Sequence, residues 1–195
     1  PISPPFAGNE ADPISLGLKR LTTYGSRARA IIGSTPTTRV GAIWQAWERC
    51  TQRRYFVVPC PECGHEQRLV WSRVQWPDRP DGAARQDHAE VIESAESARY
   101  ACESCDAEWT NAVKNTAVRK GRWESDGGSP RRVGFHLNSI YSPWVSISTM
   151  VGEWLRSQGD PSLIMDFANS RLAEPFEERA SSTKPSLFEE RAKLA

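Results

Sequence analysis

The sequence predicts an α/β fold with an inserted four-cysteine zinc-knuckle lobe. Three observations predict it. Short apolar runs suited to strands alternate with stretches of helical spacing. Two Cys-x-x-Cys pairs, Cys60/Cys63 and Cys102/Cys105, interrupt that alternation. The length, 195 residues, suits one ordinary domain carrying a small module.

Taken in chain order, residues 1–10 read as an irregular arm. Asp12-Pro13 is a helix start of the N-cap and N1 type, with Ile14, Leu16, Leu18 and Leu21 as inner positions and Tyr24-Gly25 as the stop. Arg27 to Gly33 is a strand candidate whose Ala30-Ile31-Ile32 run suits burial in a parallel sheet. It leads into Ser34-Thr35-Pro36-Thr37, on residue types alone a turn ending a strand. Val40 to Arg49 is helical, with Ile43, Trp44 and Trp47 facing a core. Tyr55–Val58 and Leu69–Trp71 are further strands. Residues 77–98 are polar and acidic and read as a surface loop with room for a short helix, leaving His88 exposed. Ala112 to Lys120 is a helix closed by Gly121, and Arg132 to Leu137 a strand containing a packed His136. Ser148 caps a helix carrying Met150, Val151, Trp154 and Leu155; Asp160-Pro161 begins the next, which stops near Glu174-Pro175. The tail from Ser181 reads as a linker.

The formal net charge of +1 conceals an uneven distribution. Residues 17–60 carry eight Lys/Arg and one Glu, residues 81–110 two Arg and eight acids, and residues 111–140 six Lys/Arg and two acids. A uniformly basic nucleic-acid coat is excluded, whereas local basic segments that attract a phosphate polymer are not. No stretch approaches 18 apolar residues, so no membrane-crossing helix is expected. The opening PISPPFAGNE lacks the basic and apolar regions of a signal peptide.

Two Cys-x-x-Cys knuckles brought together supply four thiolates, the closed sulfur set that structural zinc favours. Gly64 allows the tight turn after the first pair. Disulfides compete, but the odd number of cysteines and the absence of a secretion signal weigh against them. Redox pairs lack a βαβ context, and an iron–sulfur cluster stays chemically open. Cys50 reads as a spare, partly buried thiol. His65 reads as a neighbour of the site rather than a ligand.

Several ordered blocks resemble one family. GSTPT (33–37), QRRYFVVPCPECGHEQRLVW (52–71), YACESCDAEW (100–109), KGRW (120–123), RRVGFHLNSIYSPW (131–144) and FANSRLAEPFEE (167–178) are similar to tailed-phage terminase large subunits of the lambda GpA type. The resemblance implies a DNA-packaging motor in which an ATPase domain moves duplex DNA and a nuclease domain cuts it. It implies a partial P-loop NTPase core of the ASCE type: residues 1–52 its distal part, 53–122 the zinc insertion, 123–180 the end of the core and 181–195 a linker toward a nuclease domain expected to be missing from this segment. The sequence contains no G-x-x-x-x-G-K-[ST] loop, so ATP and Mg2+ are expected only in the full-length protein, and this segment alone is expected to be inactive. Ser34 and Thr35 map onto the family's coupling motif, with Thr37 near the nucleotide. Arg39, Arg49, Arg53, Arg54, Arg131 and Arg132 become candidates for DNA or subunit contact. The implied partners are double-stranded DNA, the small subunit, the portal and procapsid, and further copies of the subunit, in the host bacterial cytoplasm. A standalone zinc-ribbon DNA-binding module and a decayed prophage remnant are the alternative readings.

Overall fold

The computed structural model describes residues 13–177. The first helix is α1 (Pro13–Lys19); the expected Asp12 cap lies outside the described residues. A 3-10 turn, Thr22–Arg27, follows, bent at Gly25, whose φ of 54° suits a glycine. Residues 28–37 then run without strand pairing. The strand expected over Arg27 to Gly33 is therefore absent. Ile31 is fully exposed and Ile32 nearly half exposed, because no described strand pairs with this segment. A run of apolar residues becomes a strand only where ladder partners exist.

Next come α2 (Ala42–Glu48) and β1 (Gln52–Pro59). β1 is the axis of the larger sheet. It pairs antiparallel with β2 (Glu66–Gln67) and β6 (Arg122–Ser125), and parallel with β7 (Val133–His136). On one face α2 lies against the sheet. Trp47 packs edge-on to Tyr55 and beside His136, and a Cβ on Gly134 would come within 2.6 Å of its ring. Only glycine lets this helix come so near the strand. As expected, His136 is a packed histidine, its Nε2 3.1 Å from the Ala173 carbonyl oxygen. Cys50 is partly buried, donates to the Ala46 carbonyl at 3.4 Å, and has its thiol pKa raised by burial.

A second sheet orders β3 (Val74–Gln75), β4 (Arg99–Ala101) and β5 (Glu108–Trp109). The strand expected at Leu69–Trp71 is instead irregular chain entering a 3-10 turn at Trp71–Arg73. The acidic segment is also more ordered than its composition suggests. It forms α3 (Arg85–Ser94), which buries His88, Ala89 and Ile92 against α5 (Ile147–Ser157). His88 is 3% exposed, contrary to expectation. Arg156 forks onto Glu93 across this helix pair, which removes two charges from the count of free acids and bases. The helix expected from Ser148 is capped two residues earlier. Ser146 is the cap, accepting the Thr149 N–H at 3.0 Å, while Ser148 is buried and accepts the Ala98 N–H. Asp160 caps α6 (Pro161–Asp166) as expected, and the chain continues into a wide π turn at Phe167–Arg171.

One apolar core joins β1, the second sheet, α3, α5 and the π turn. Val58, Leu69, Trp71, Tyr100, Trp109, Ile140, Met150, Trp154 and Phe167 belong to it. Its rim includes α4 (Asn111–Arg119), capped by Thr110, and here Lys114 is fully buried with Nζ donating to the Ser142 carbonyl at 2.8 Å. Burial pulls its pKa down to about 8. The unfolded chain therefore holds this proton to higher pH than the native one, so stability rises as pH climbs from about 8 to about 10.5. Lys114→Met is expected to remove a rise on the order of 3 kcal/mol from that window. Denaturant unfolding of both chains at stepped pH checks it; parallel curves would refute it.

Candidate metal centre

Each cysteine pair sits at the tip of a short hairpin. β1 and β2 frame the first, with Val58 opposite Gln67 and Pro59 opposite Glu66; β4 and β5 frame the second, with Tyr100 opposite Trp109 and Ala101 opposite Glu108. The two tips close in the same way. Cys60 N–H donates to the His65 carbonyl at 2.8 Å, and Gly64 N–H to the Cys60 carbonyl at 2.9 Å. Correspondingly, Cys102 N–H donates to the Ala107 carbonyl at 3.0 Å, and Asp106 N–H to the Cys102 carbonyl at 3.1 Å. The fourth residue after each leading cysteine carries the left-handed turn: Gly64 at φ 73° and Asp106 at φ 56°. Glycine takes that conformation freely, and aspartate is among the few other residues that tolerate it.

The two hairpins bring all four Sγ atoms within 4.8 Å of one another. Cys60 and Cys105 stand 3.8 Å apart, as do Cys63 and Cys102. A tetrahedral ion with metal–sulfur bonds of about 2.3 Å separates its ligands by about 3.8 Å, so the donor set fits a metal ion. Each hairpin contributes one buried thiol, Cys60 or Cys102, and one exposed thiol, Cys63 or Cys105.

Polar groups from the first hairpin and from the turn that follows it hold the second. Gln67 is 2% exposed. Its Nε2 donates to Cys102 Sγ at 3.3 Å and its Oε1 accepts the Glu103 N–H at 2.9 Å. His65 Nε2 meets Glu103 Oε1 at 2.8 Å, outside the sulfur cluster. Arg73 donates to the Ala101 carbonyl at 3.0 Å, and also reaches the Cys102 carbonyl and the Asp106 carboxylate.

Burial pushes the Cys102 thiol up, but the Cys105 and Ser104 N–H groups, the Cys60 thiol and the Gln67 amide outweigh it and bring the thiol to about 6. Cys105 moves oppositely. The Ala107 N–H lowers it, yet the adjoining Cys63, desolvation and the other thiols hold it at about 12. A metal ion must displace such protons, so binding weakens in acid. Gln67→Leu removes a donor to the thiolate and an acceptor for Glu103. It is expected to weaken metal retention about tenfold or more, read by chelator competition. Unchanged retention would remove Gln67 from this role. Gln67 was not anticipated from the sequence, although Cys-x-x-Cys-x-x-Glu recurs at Cys60–Glu66 and Cys102–Glu108 and marks the two hairpins as equivalent.

The other expected site residues lie apart from the sulfur cluster. Ser34 and Thr35 are exposed in irregular chain, with Ser34 Oγ donating to the Thr35 carbonyl at 3.0 Å. The Thr37 carbonyl accepts the Phe176 N–H at 3.0 Å, and Arg39 forms an ion pair with Glu177, which ties this turn to the end of the described chain. Arg49 donates to Gln45, and Arg53 to the Glu48 carbonyl while lying over Trp47. Arg54 donates to Gln52 and lies over Phe135; Arg131 and Arg132 are exposed just before β7.

Comparison with known proteins now decides the family. The family model for the ATPase domain of phage terminase large subunit gpA matches residues 3–123. This chain belongs to the gpA family of phage terminase large subunits. A second model, for the gpA endonuclease domain, matches residues 132–194 of the same terminase chain. The large terminase subunit of Enterobacteria phage P21 is 30% identical over 189 residues, covering 89% of this chain. That of Escherichia phage lambda is 32% identical over 188 residues, covering 86%. The chain spans 28% of the length of each of these relatives. No solved structure matches. The resemblance read from the sequence is thus the family to which the chain belongs. The nuclease domain was expected to be missing from this segment; the endonuclease model instead matches residues 132–194.

Proposed function

We propose that this terminase chain serves in an ATP-driven DNA-packaging motor, contributing the distal part of a P-loop ATPase core together with a structural zinc lobe. The match to gpA models for both ATPase and endonuclease domains carries the reading. In the complete subunit, ATP and Mg2+ would be held by other parts of the protein. Ser34, Thr35 and Thr37 would relay the nucleotide state, and the arginines would meet duplex DNA or a neighbouring subunit. The small subunit, portal and procapsid are the corresponding partners, further copies of the subunit would complete the motor, and the bacterial cytoplasm is the setting.

Zinc is proposed for the sulfur cluster because four thiolates at tetrahedral spacing suit it. Its role would be to clamp two hairpins whose strands are only two or three residues long where they meet. We further propose that residues 123–177 complete the body begun by β1 rather than forming a separate unit. β6 and β7 both pair with β1, and Trp154 and Phe167 share a core with Val58.

The test is to express the subunit with its upstream coding sequence. DNA-stimulated ATP hydrolysis that requires a Walker lysine there, and is impaired by Thr35→Ala, is the expected result. An upstream sequence without Walker motifs would sink the motor reading. Metal analysis of reduced, chelator-free material is expected to find one zinc per chain.

A further inference from the structure

The larger sheet has two unlike faces. Residues paired across strands share a face, and the face alternates along each strand. Arg53, Tyr55 and Val57 of β1 therefore stand with Arg122 and Glu124 of β6 and with Gly134 and His136 of β7. This is the face α2 covers, and here Arg122 pairs with Glu66 and Glu124. The opposite face carries Arg54, Phe56 and Val58, Trp123 and Ser125, and Val133 and Phe135. Neither Asp nor Glu stands on that face of the three strands.

Val58 is buried in the core at one end of this face, and Phe56 is half-buried beside Tyr141 and Trp123. The other end is open. Trp123 is 39% and Phe135 54% exposed, their rings 4.9 Å apart and edge to face. The Arg54 guanidinium lies over Phe135 at 5.8 Å, and Arg131 and Arg132 are exposed immediately before β7.

From this placement we propose that the open end of the sheet binds single-stranded nucleic acid, with unpaired bases on Trp123 and Phe135 and phosphates on Arg54, Arg131 and Arg132. Aromatic rings on a sheet beside arginines accept bases of any sequence, because every base presents a π face. A duplex keeps those faces stacked inside and offers the rings nothing, so the rings, unlike the arginines, discriminate strand state. The charge is complementary to a phosphate chain, and the sheet's acids are confined to the other face. This goes beyond the proposed handling of duplex DNA and does not depend on it: the site is tested on the 195-residue chain without nucleotide.

Anisotropy of a labelled oligothymidylate, compared with a duplex of equal length, is the measurement. Tighter binding of the single strand is expected. Phe135→Ala should weaken it about tenfold, Phe135→Tyr should restore it, and Arg131→Gln should lower the salt slope by about one. Unchanged metal content in each variant certifies its fold. Equal affinity for the two strand states, absence of binding, or indifference to Phe135→Ala would overturn the proposal. Self-association that Phe135→Ala abolishes, without oligonucleotide binding, would assign the face to a second copy and equally overturn it.

Discussion

Cys102→Ser is expected to empty the metal centre and unfold the lobe built around it. Cys102 is fully buried, receives the Gln67 and Ser104 hydrogen bonds, and stands 3.8 Å from Cys63. A serine hydroxyl does not ionise near neutral pH and is a poor replacement for a thiolate, so three ligands remain of four. Dependence of the lobe on an ion is expected because its own ladders are short. β2, β3 and β5 have two residues each, and β4 has three. Structural zinc supplies on the order of 10 kcal/mol of folding free energy in small domains, comparable with the whole stability of an ordinary domain. The variant should bind no metal in the presence of a modest chelator and lose its near-ultraviolet circular dichroism at temperatures where the parent is folded. Chelating the parent should reproduce the loss, and added zinc should reverse it. Cys50→Ser is the control, since Cys50 lies outside the sulfur cluster, and should keep the metal. A Cys102→Ser chain that retains one equivalent and melts with the parent would refute the structural role.

The four-cysteine cluster was legible in the sequence because its signal is local. Four cysteines in two pairs state the chemistry whatever the intervening 38 residues do. Capped and periodic helices were legible for the same reason: Asp160-Pro161 and the Trp47 helix are encoded within a few residues. What failed depended on partners distant in sequence. Arg27 to Gly33 has the composition of a buried strand but meets no strand among the described residues. Leu69–Trp71 has the composition of a strand too, yet side chains satisfy its backbone. The burial of α3, in a segment where a short surface helix was allowed for, was hidden by its acids, because a helix that packs through His88, Ala89 and Ile92 needs only a narrow apolar stripe. Ser148 was the expected cap, but its hydroxyl accepts the Ala98 N–H, and Ser146 caps α5 instead. The Ser34/Thr35 turn shows the remaining limit: its proposed role concerns groups that lie on other parts of the subunit.

The backbone around Leu69 makes the second large prediction. Leu69 is 1% exposed, so neither its N–H nor its carbonyl has solvent available. A sheet would satisfy both through a neighbouring strand. Here the Tyr141 hydroxyl accepts the Leu69 N–H at 2.8 Å, and Asn138 Nδ2 donates to the Leu69 carbonyl at 2.8 Å. The same hydroxyl donates to the Phe56 carbonyl of β1 at 2.6 Å. One oxygen atom thus joins the chain leaving β2 to the strand on which the larger sheet is built. Burial pushes this phenol up to about 12, so it stays protonated and keeps its donor role across the working range of pH. Tyr141→Phe preserves the ring that packs edge-on to Phe56 and deletes only the oxygen. It leaves a buried N–H and a carbonyl unpaired, and an expected cost of about 2–4 kcal/mol follows. The loss should also reach the metal, because Leu69 follows two residues after Gln67, which touches Cys102 Sγ. Denaturant unfolding of Tyr141→Phe and Gln67→Leu, alone and together, should therefore give effects that do not add, as residues in one network do not. Additive effects would mean that the hydroxyl stabilises β1 without setting the geometry of the cysteines, and a phenylalanine variant as stable as the parent would remove the link altogether.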